Sequence, residues 1–441
     1  MPSEDSSHVT NSSFCHPVDC LNGVWKPRDP PYSTIEEYLG EYDYGLDFVW
    51  DKCGDKKEVH LTGKEQAAYH EYQTQRLLNV MNWVWEPRSG LLRAWNAEDF
   101  VVRMLRSPGG IFFLGDSIIG QSYHWLDYTL VGAGIPFDHN PTYLLHHDNK
   151  WVQQHVLQKN HPVTRRLLKR AGVPESRLLR PIYTRINSYL LLGEQDVRPI
   201  LENVGAQKGF DWFPVFDYVP GWDTFIKNCT RRRQGEEDTV TEDSILVINT
   251  GPHWSRFSLY MLPDTGTEKK QKERVTDAYL QMTNLIGSYL APLPQLSIYY
   301  RATSPGHPTC TNITKPYPDS ATARSFEVDV TERLIQHLNN TEKKWARRRW
   351  DWDLFESHNR IFERTIRRLA AKRKRRKEGA NWFYFDIWDQ ALQRPDSHAQ
   401  NIIDLDDYSD CLHWCVPGLI EQWMKHLNHW IFYESEKKQA I

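Results

Sequence analysis

No stretch of this sequence approaches the ~18 consecutive apolar residues that a membrane-spanning helix needs. The first thirty residues, beginning Met1-Pro2-Ser3-Glu4, lack both the basic start and the apolar core of a signal peptide. An excess of charge is also lacking. The 54 Lys and Arg against 57 Asp and Glu leave a formal charge of -3, which argues against a nucleic-acid binder relying on overall basicity. The seven cysteines, Cys15, Cys20, Cys53, Cys229, Cys310, Cys411 and Cys415, show no paired C-x-x-C spacing of a zinc site. No metal site is therefore expected, and disulfides are the expected use for most of them, with at least one thiol free or paired outside the chain. Four Asn-x-Ser/Thr sequons begin at Asn11, Asn228, Asn312 and Asn339. Disulfides and glycosylation both belong to the secretory pathway, so the expectation is that a targeting segment is missing from this sequence.

Aromatic residues are abundant: 18 Trp, 21 Tyr and 17 Phe provide flat faces that either stack on sugar rings or fill a core. At 441 residues the chain has room for one large α/β domain with insertions or for two domains. Residues 1–20 read as a loose, polar N-terminus, 21–95 as a small Cys- and Trp-containing subregion, and 96–435 as the catalytic-domain candidate. Charged insertions are expected near 230–243, 263–274 and 341–378, the last including the basic run Lys372 to Lys377, which reads as a solvated helix face. Trp95 to Leu105 has helical spacing with Asn96 as N-cap. Four short apolar runs read as buried strands: 111–114, 244–248, 295–300 and 382–387. Such strands separated by helical stretches predict an α/β layer architecture with a mostly parallel sheet, whose active groups gather beyond the carboxyl strand ends.

The first strand leads directly into Gly115-Asp116-Ser117 and a helix-compatible segment through Leu130. That is a strand, a tight turn and a helix N-terminus, the setting in which a serine hydroxyl is exposed and amide donors are available for an oxyanion. A serine still needs a base. His413 is the candidate, in Asp410-Cys411-Leu412-His413-Trp414-Cys415, where the spacing lets Asp410 reach one imidazole nitrogen while the other faces Ser117. In isolation Asp-x-x-His also fits a helix start capped by Asp. Asn249, in Asn249-Thr250-Gly251-Pro252-His253-Trp254, is a candidate side-chain oxyanion donor or an Asx-turn residue. His253, Arg301 and Gln121 complete the candidate substrate or oxyanion group, with structural pairing the default for Arg301.

Together these segments resemble the PC-esterase family, which includes the plant trichome-birefringence-like polysaccharide O-acetyltransferases and fungal capsule-acetylation proteins; a fungal member is expected. The resemblance runs from Cys20 to Trp25 and Tyr32, through Trp83 to Pro87, Gly115 to Ser117, Asn249 to Gly251, Arg301 to His307 and Arg394 to His398, and ends with Asp410 to Gly418. It implies an SGNH-like (GDSL-type) α/β/α fold and a Ser-His-Asp triad at Ser117, His413 and Asp410. It also implies an acetyl-serine intermediate passed to a glycan hydroxyl, usually in the Golgi lumen, with an extracellular location as the alternative. No bound cofactor is expected; the expected co-substrate is an acetyl donor, acetyl-CoA or another acetylated carrier, with a separate membrane protein as its candidate supplier. No nucleic-acid partner is expected. Two readings stand beside O-acetyl transfer: a carbohydrate acetylesterase using the same triad, and a catalytically silent carbohydrate-binding protein. Many relatives carry an Arg shortly after the serine, whereas this chain has Ile118-Ile119-Gly120-Gln121, and Pro252 interrupts the family's Asn-Thr-Gly-His-Trp pattern.

Overall fold

The computed structural model describes residues 14–42, 62–212, 219–308, 310, 313–339, 350–399 and 410–439. In it the four apolar runs form consecutive strands of a seven-stranded sheet, the last of them at its edge. β1 (Gly23–Pro27) and β2 (Trp83–Pro87) make a separate antiparallel ribbon. β3 (Ile111–Gly115), β4 (Phe137–His139), β5 (Val152–Leu157), β6 (Tyr183–Asn187), β7 (Ser244–Asn249), β8 (Leu296–Arg301) and β9 (Asn381–Phe385) are ordered β4-β5-β6-β3-β7-β8-β9. β6, β3, β7, β8 and β9 run parallel, whereas β5 is antiparallel to β6 and to β4. The mostly parallel α/β sheet is the expected class.

Because side chains alternate across a strand, the central strands feed two cores. Ile111, Phe113, Ile245, Val247 and Tyr299 face one, with helices Ala97–Leu105, Ser117–Gly132 and Gly418–Gln439. Phe112, Leu114, Leu246, Ile248 and Tyr300 face the other, with helices Glu194–Asn203, Trp222–Cys229, Glu268–Leu290 and Phe355–Arg376. Helices on both faces give three layers. The N-terminal ribbon joins the first core through Trp25 and Trp85, whose rings meet edge to face at 5.5 Å. The helix expected at 95–105 spans Ala97–Leu105, and Asn96 caps it by accepting the Asp99 N–H at 2.9 Å.

The three spans read as charged insertions are more embedded than that. Residues 355–376 form a helix that covers the sheet with buried Phe362 and Ile366, and only its last turn carries the basic run. Sparse apolar positions among many Arg and Lys still define a buried stripe when they recur at helical spacing. Within 230–243, Glu236 is buried against Arg180 and Val240 is buried. The second half of 263–274 begins the helix Glu268–Leu290, with Gln271 buried.

Cys15 pairs with Cys20 and Cys310 with Cys411. Cys415 is also disulfide-bonded, to a partner outside the described residues. Cys229 is a free thiol that burial pushes up to about 11. Asn228 is exposed at the end of its helix. Asn11, Asn312, Cys53, residues 341–349 and the side chain of Asn339 lie outside the described residues. Among the described residues no helix is long and apolar enough to cross a membrane.

Candidate active site

At the carboxyl end of β3 the chain turns sharply from strand to helix. Gly115 has φ 155°, and a Cβ placed on it would lie 2.1 Å from the Asn249 carbonyl oxygen of neighbouring β7. Only glycine lets the two backbones approach so closely. Gly115→Ala is expected to lower stability by on the order of 3 kcal/mol, measured as a shift in the urea midpoint; a shift within error would contradict this packing. Asp116 then caps the helix Ser117–Gly132, its Oδ1 accepting the Ile118 N–H at 3.0 Å. Ser117 is the first helical residue and is partly exposed. Its own N–H heads the helix, where no intrahelical carbonyl is available, and so is placed to donate to an anionic oxygen.

The structure brings Ser117, His413 and Asp410 together. Ser117 Oγ lies 2.7 Å from His413 Nε2, and His413 Nδ1 lies 2.7 Å from Asp410 Oδ2. Asp410 Oδ1 accepts the backbone N–H groups of Leu412 at 3.2 Å and His413 at 2.9 Å. Burial works to raise the Asp410 carboxyl, but the hydrogen bond and charge of His413 and these two amides leave it below its ordinary value. An ionised carboxylate only accepts, so His413 Nδ1 carries the proton and Nε2 presents its lone pair to the serine. That is the polarity a general base requires.

Distant segments hold the His413 loop. The Cys310–Cys411 disulfide ties it to the segment after β8. His398 Nδ1 lies 3.0 Å from the His413 carbonyl and its ring stacks on Trp414 at 3.8 Å. His398 Nε2 in turn lies 2.6 Å from His307 Nδ1. Ala399 N–H donates to the His413 carbonyl and Cys415 N–H to the Ser397 carbonyl, each at 2.8 Å.

Three sequence candidates have other roles. Gln121 is no free oxyanion donor: its Nε2 donates to the Trp414 carbonyl at 2.5 Å and its Oε1 accepts the Trp414 N–H at 3.1 Å. One turn after Ser117, it clamps the serine's helix to the residue following His413. Asn249 is 0% exposed, and its Nδ2 donates to the Arg301 carbonyl at 3.1 Å and Thr303 Oγ1 at 3.4 Å. Its amide is therefore committed inside the protein rather than offered to an oxyanion. Arg301 is buried as well, donating to Asn249 Oδ1 at 2.6 Å and lying over the Trp423 ring at 5.0 Å. Burial lowers its guanidinium to about 10, opposed by the charge of Asp116, so Arg301 braces the turn beneath the serine rather than contacting substrate.

His253 stays at the site's edge. Burial, then the charge of His413, lowers it to about 3, so it is neutral at physiological pH. Tyr189 and Trp350 flank its ring at 4.4 and 5.6 Å. Neither flanking residue was singled out from sequence, because their proximity comes from β6 and from residues nearly a hundred positions after His253. Arg185 is a further unforeseen neighbour. Its Nη2 lies 2.6 Å from where a Cβ on Gly120 would be, so this guanidinium occupies the space above the helix turn after Ser117. A glycine with no local turn requirement was the only sequence signal.

Gln121→Leu would leave both Trp414 backbone groups buried without partners, at about 1–3 kcal/mol each. It is expected to lower kcat for an acetyl ester about tenfold to a hundredfold through displacement of His413, with a smaller change in KM. Steady-state kinetics check this, and an unchanged kcat would show that the clamp does not position the base.

An α/β sheet carrying a Ser-His-Asp relay beyond its carboxyl edge defines the class of serine-dependent acyl-transfer and hydrolase sites. Residues 232–430 match the family described as PC-Esterase, a GDSL/SGNH-like acyl-esterase family found in Pmr5 and Cas1p. A segment of 61 residues is 36% identical to protein trichome birefringence-like 20 of Arabidopsis thaliana. The segment covers 13% of this chain and 13% of that protein. The matched family span contains Asp410 and His413 but not Ser117, which geometry alone joins to them.

Proposed function

We propose that this chain is a carbohydrate O-acetyltransferase acting through an acetyl-Ser117 intermediate. The observation that carries the reading is the continuous relay from Ser117 Oγ through His413 to Asp410, with both links at 2.7 Å. Ser117 Oγ attacks the acetyl carbonyl as His413 Nε2 takes its proton, and the developing oxyanion meets the Ser117 N–H. Collapse expels the donor's leaving group, which receives that proton, and leaves acetyl-Ser117. A glycan hydroxyl then gives its proton to His413 and attacks the ester, returning the proton to Ser117 Oγ as the acetylated glycan departs. Asp410 holds the tautomer and stabilises the imidazolium in both halves.

The donor is acetyl-CoA or another acetylated carrier, and the acceptor a polysaccharide or glycan. The disulfides support a secretory-pathway setting, with the Golgi lumen as the proposed compartment. Water in place of the glycan would make the same site an acetylesterase, a second reading supported by the partial exposure of Ser117. A silent carbohydrate-binding protein would have no use for the aligned relay. The test is partition of a labelled acetyl group. With p-nitrophenyl acetate and a panel of plant and fungal polysaccharides, transfer predicts label on the glycan. Label found only in free acetate, whatever glycan is added, would replace transfer by hydrolysis.

A further inference from the structure

A cavity of about 310 Å³ lies beside the loop that follows β8, walled by Gly306, Glu327, Trp352, Asp353, Trp388 and Leu392 among others. It adjoins the segment holding the candidate catalytic loop: Ser304, two residues before Gly306, accepts the Trp414 Nε1–H at 3.0 Å, and His307 N–H donates to the Cys411 carbonyl at 3.2 Å. The cavity wall is thus continuous with the backbone that carries Asp410 and His413. Trp352 is fixed there by contact with Gly306, where a Cβ would lie 1.7 Å from the indole. The indole remains partly exposed toward the cavity.

Two buried polar atoms of lining residues have no hydrogen-bond partner among the described residues: Glu327 Oε2 and Trp388 Nε1. Glu327 is only 6% exposed, and its other oxygen accepts from Tyr317 Oη at 2.9 Å. Leaving a buried donor and a buried acceptor unsatisfied costs about 1–3 kcal/mol each, so two such groups on residues that wall one cavity point to a ligand that supplies both partners once those side chains turn toward it. The lining charges say which kind. Arg324 is already held by Glu356 and Asp389, and Lys272 is bound to Asp353. The cations at the cavity are thus committed to carboxylates, and Glu327 is the lining carboxylate with no ion pair among the described residues, which disfavours an anionic ligand. Burial raises the Glu327 carboxyl to about 7. A hydroxyl, which both donates and accepts, satisfies that carboxyl in either protonation state, whereas a cation would need the ionised form alone.

We propose that this cavity is a subsite for an uncharged sugar unit of the acceptor glycan. The Trp352 indole is its stacking face, Glu327 Oε2 pairs with a ring hydroxyl, and Trp388 Nε1 donates to a second sugar oxygen. The proposal rests on the carbohydrate reading above and adds where, and by what chemistry, the glycan is held away from the reacting hydroxyl.

The test uses the full chain carrying Ser117→Ala, so that binding is read without turnover. Xylohexaose, mannohexaose and maltohexaose serve as neutral probes and hexagalacturonate as the anionic one, by calorimetric titration. At least one neutral probe is expected to bind. Adding Trp388→Phe, which removes the N–H while keeping an aromatic ring, is expected to weaken that binding about tenfold, and Trp352→Ala more. Glu327→Gln, which keeps a donor and an acceptor, is expected to retain most of it. Thermal midpoints of all variants identify any that fail to fold. No neutral probe binding, neutral binding equal in Trp388→Phe and Trp352→Ala, or binding of hexagalacturonate alone would overturn the subsite. Failure of Ser117 to acylate in the otherwise native chain would overturn the acyl-transfer reading, and it is scored separately because these titrations do not depend on the nucleophile.

Discussion

Ser117→Ala, His413→Ala and the double variant are each expected to lower acetyl-ester turnover by about 10⁴- to 10⁶-fold, and the double variant is expected to be little worse than either single one. A serine without its base and a base without its serine are equally unable to form the acyl intermediate, so the losses do not multiply. Initial rates with p-nitrophenyl acetate measure all three. Additive losses would mean that Ser117 and His413 act in separate steps, contrary to their 2.7 Å contact. Residual turnover is expected from the Ser117 N–H and substrate binding alone, as is general for sites whose oxyanion donors survive.

Arg301→Ala is expected to be the most damaging substitution to stability outside the relay, at about 3–5 kcal/mol. It removes the charge nearest in effect to the wholly buried Asp116 and the donor to Asn249 Oδ1, leaving an uncompensated carboxylate under the serine's turn. Pairing it with Asp116→Asn, which keeps an N-cap acceptor, is expected to recover part of the loss. Urea unfolding of the four proteins completes the cycle. Equal destabilisation with and without Asp116→Asn would show that the two groups are uncoupled and that Arg301 acts through its bond to Asn249 and its packing on Trp423 instead.

The features readable from sequence are the ones whose cause is local or apolar. β3, β7, β8 and β9 are near-continuous hydrophobic runs because parallel strands are covered on both faces. β5 and β6, reading Val-Gln-Gln-His-Val-Leu and Tyr-Thr-Arg-Ile-Asn, mix polar and apolar residues and carry no such signal. They are strands because neighbours pair them on both sides, β6 between β3 and β5 and β5 between β6 and β4. Asn96 and the Asp410/His413 spacing act within a few residues, so their placement could be read directly, whereas the approach of Gly115 to the Asn249 carbonyl comes from strand pairing. Gln121 and Asn249 were legible as amides but not as to their targets, since Trp414 lies 293 positions from Gln121 and Arg301 lies 52 from Asn249. The basic composition of 355–376 likewise concealed a buried stripe, because hydrophobic content and hydrophobic placement are different properties.

The most direct test of the central claim is acid-quenched mass spectrometry of the intact chain after brief exposure to p-nitrophenyl acetate, followed by peptide mapping. A single added acetyl group is expected on the peptide containing Gly115-Asp116-Ser117, accumulating in the wild type and absent in Ser117→Ala. Turnover with no acetyl group on that peptide, or the same acetylation in Ser117→Ala, would contradict Ser117 as the nucleophile.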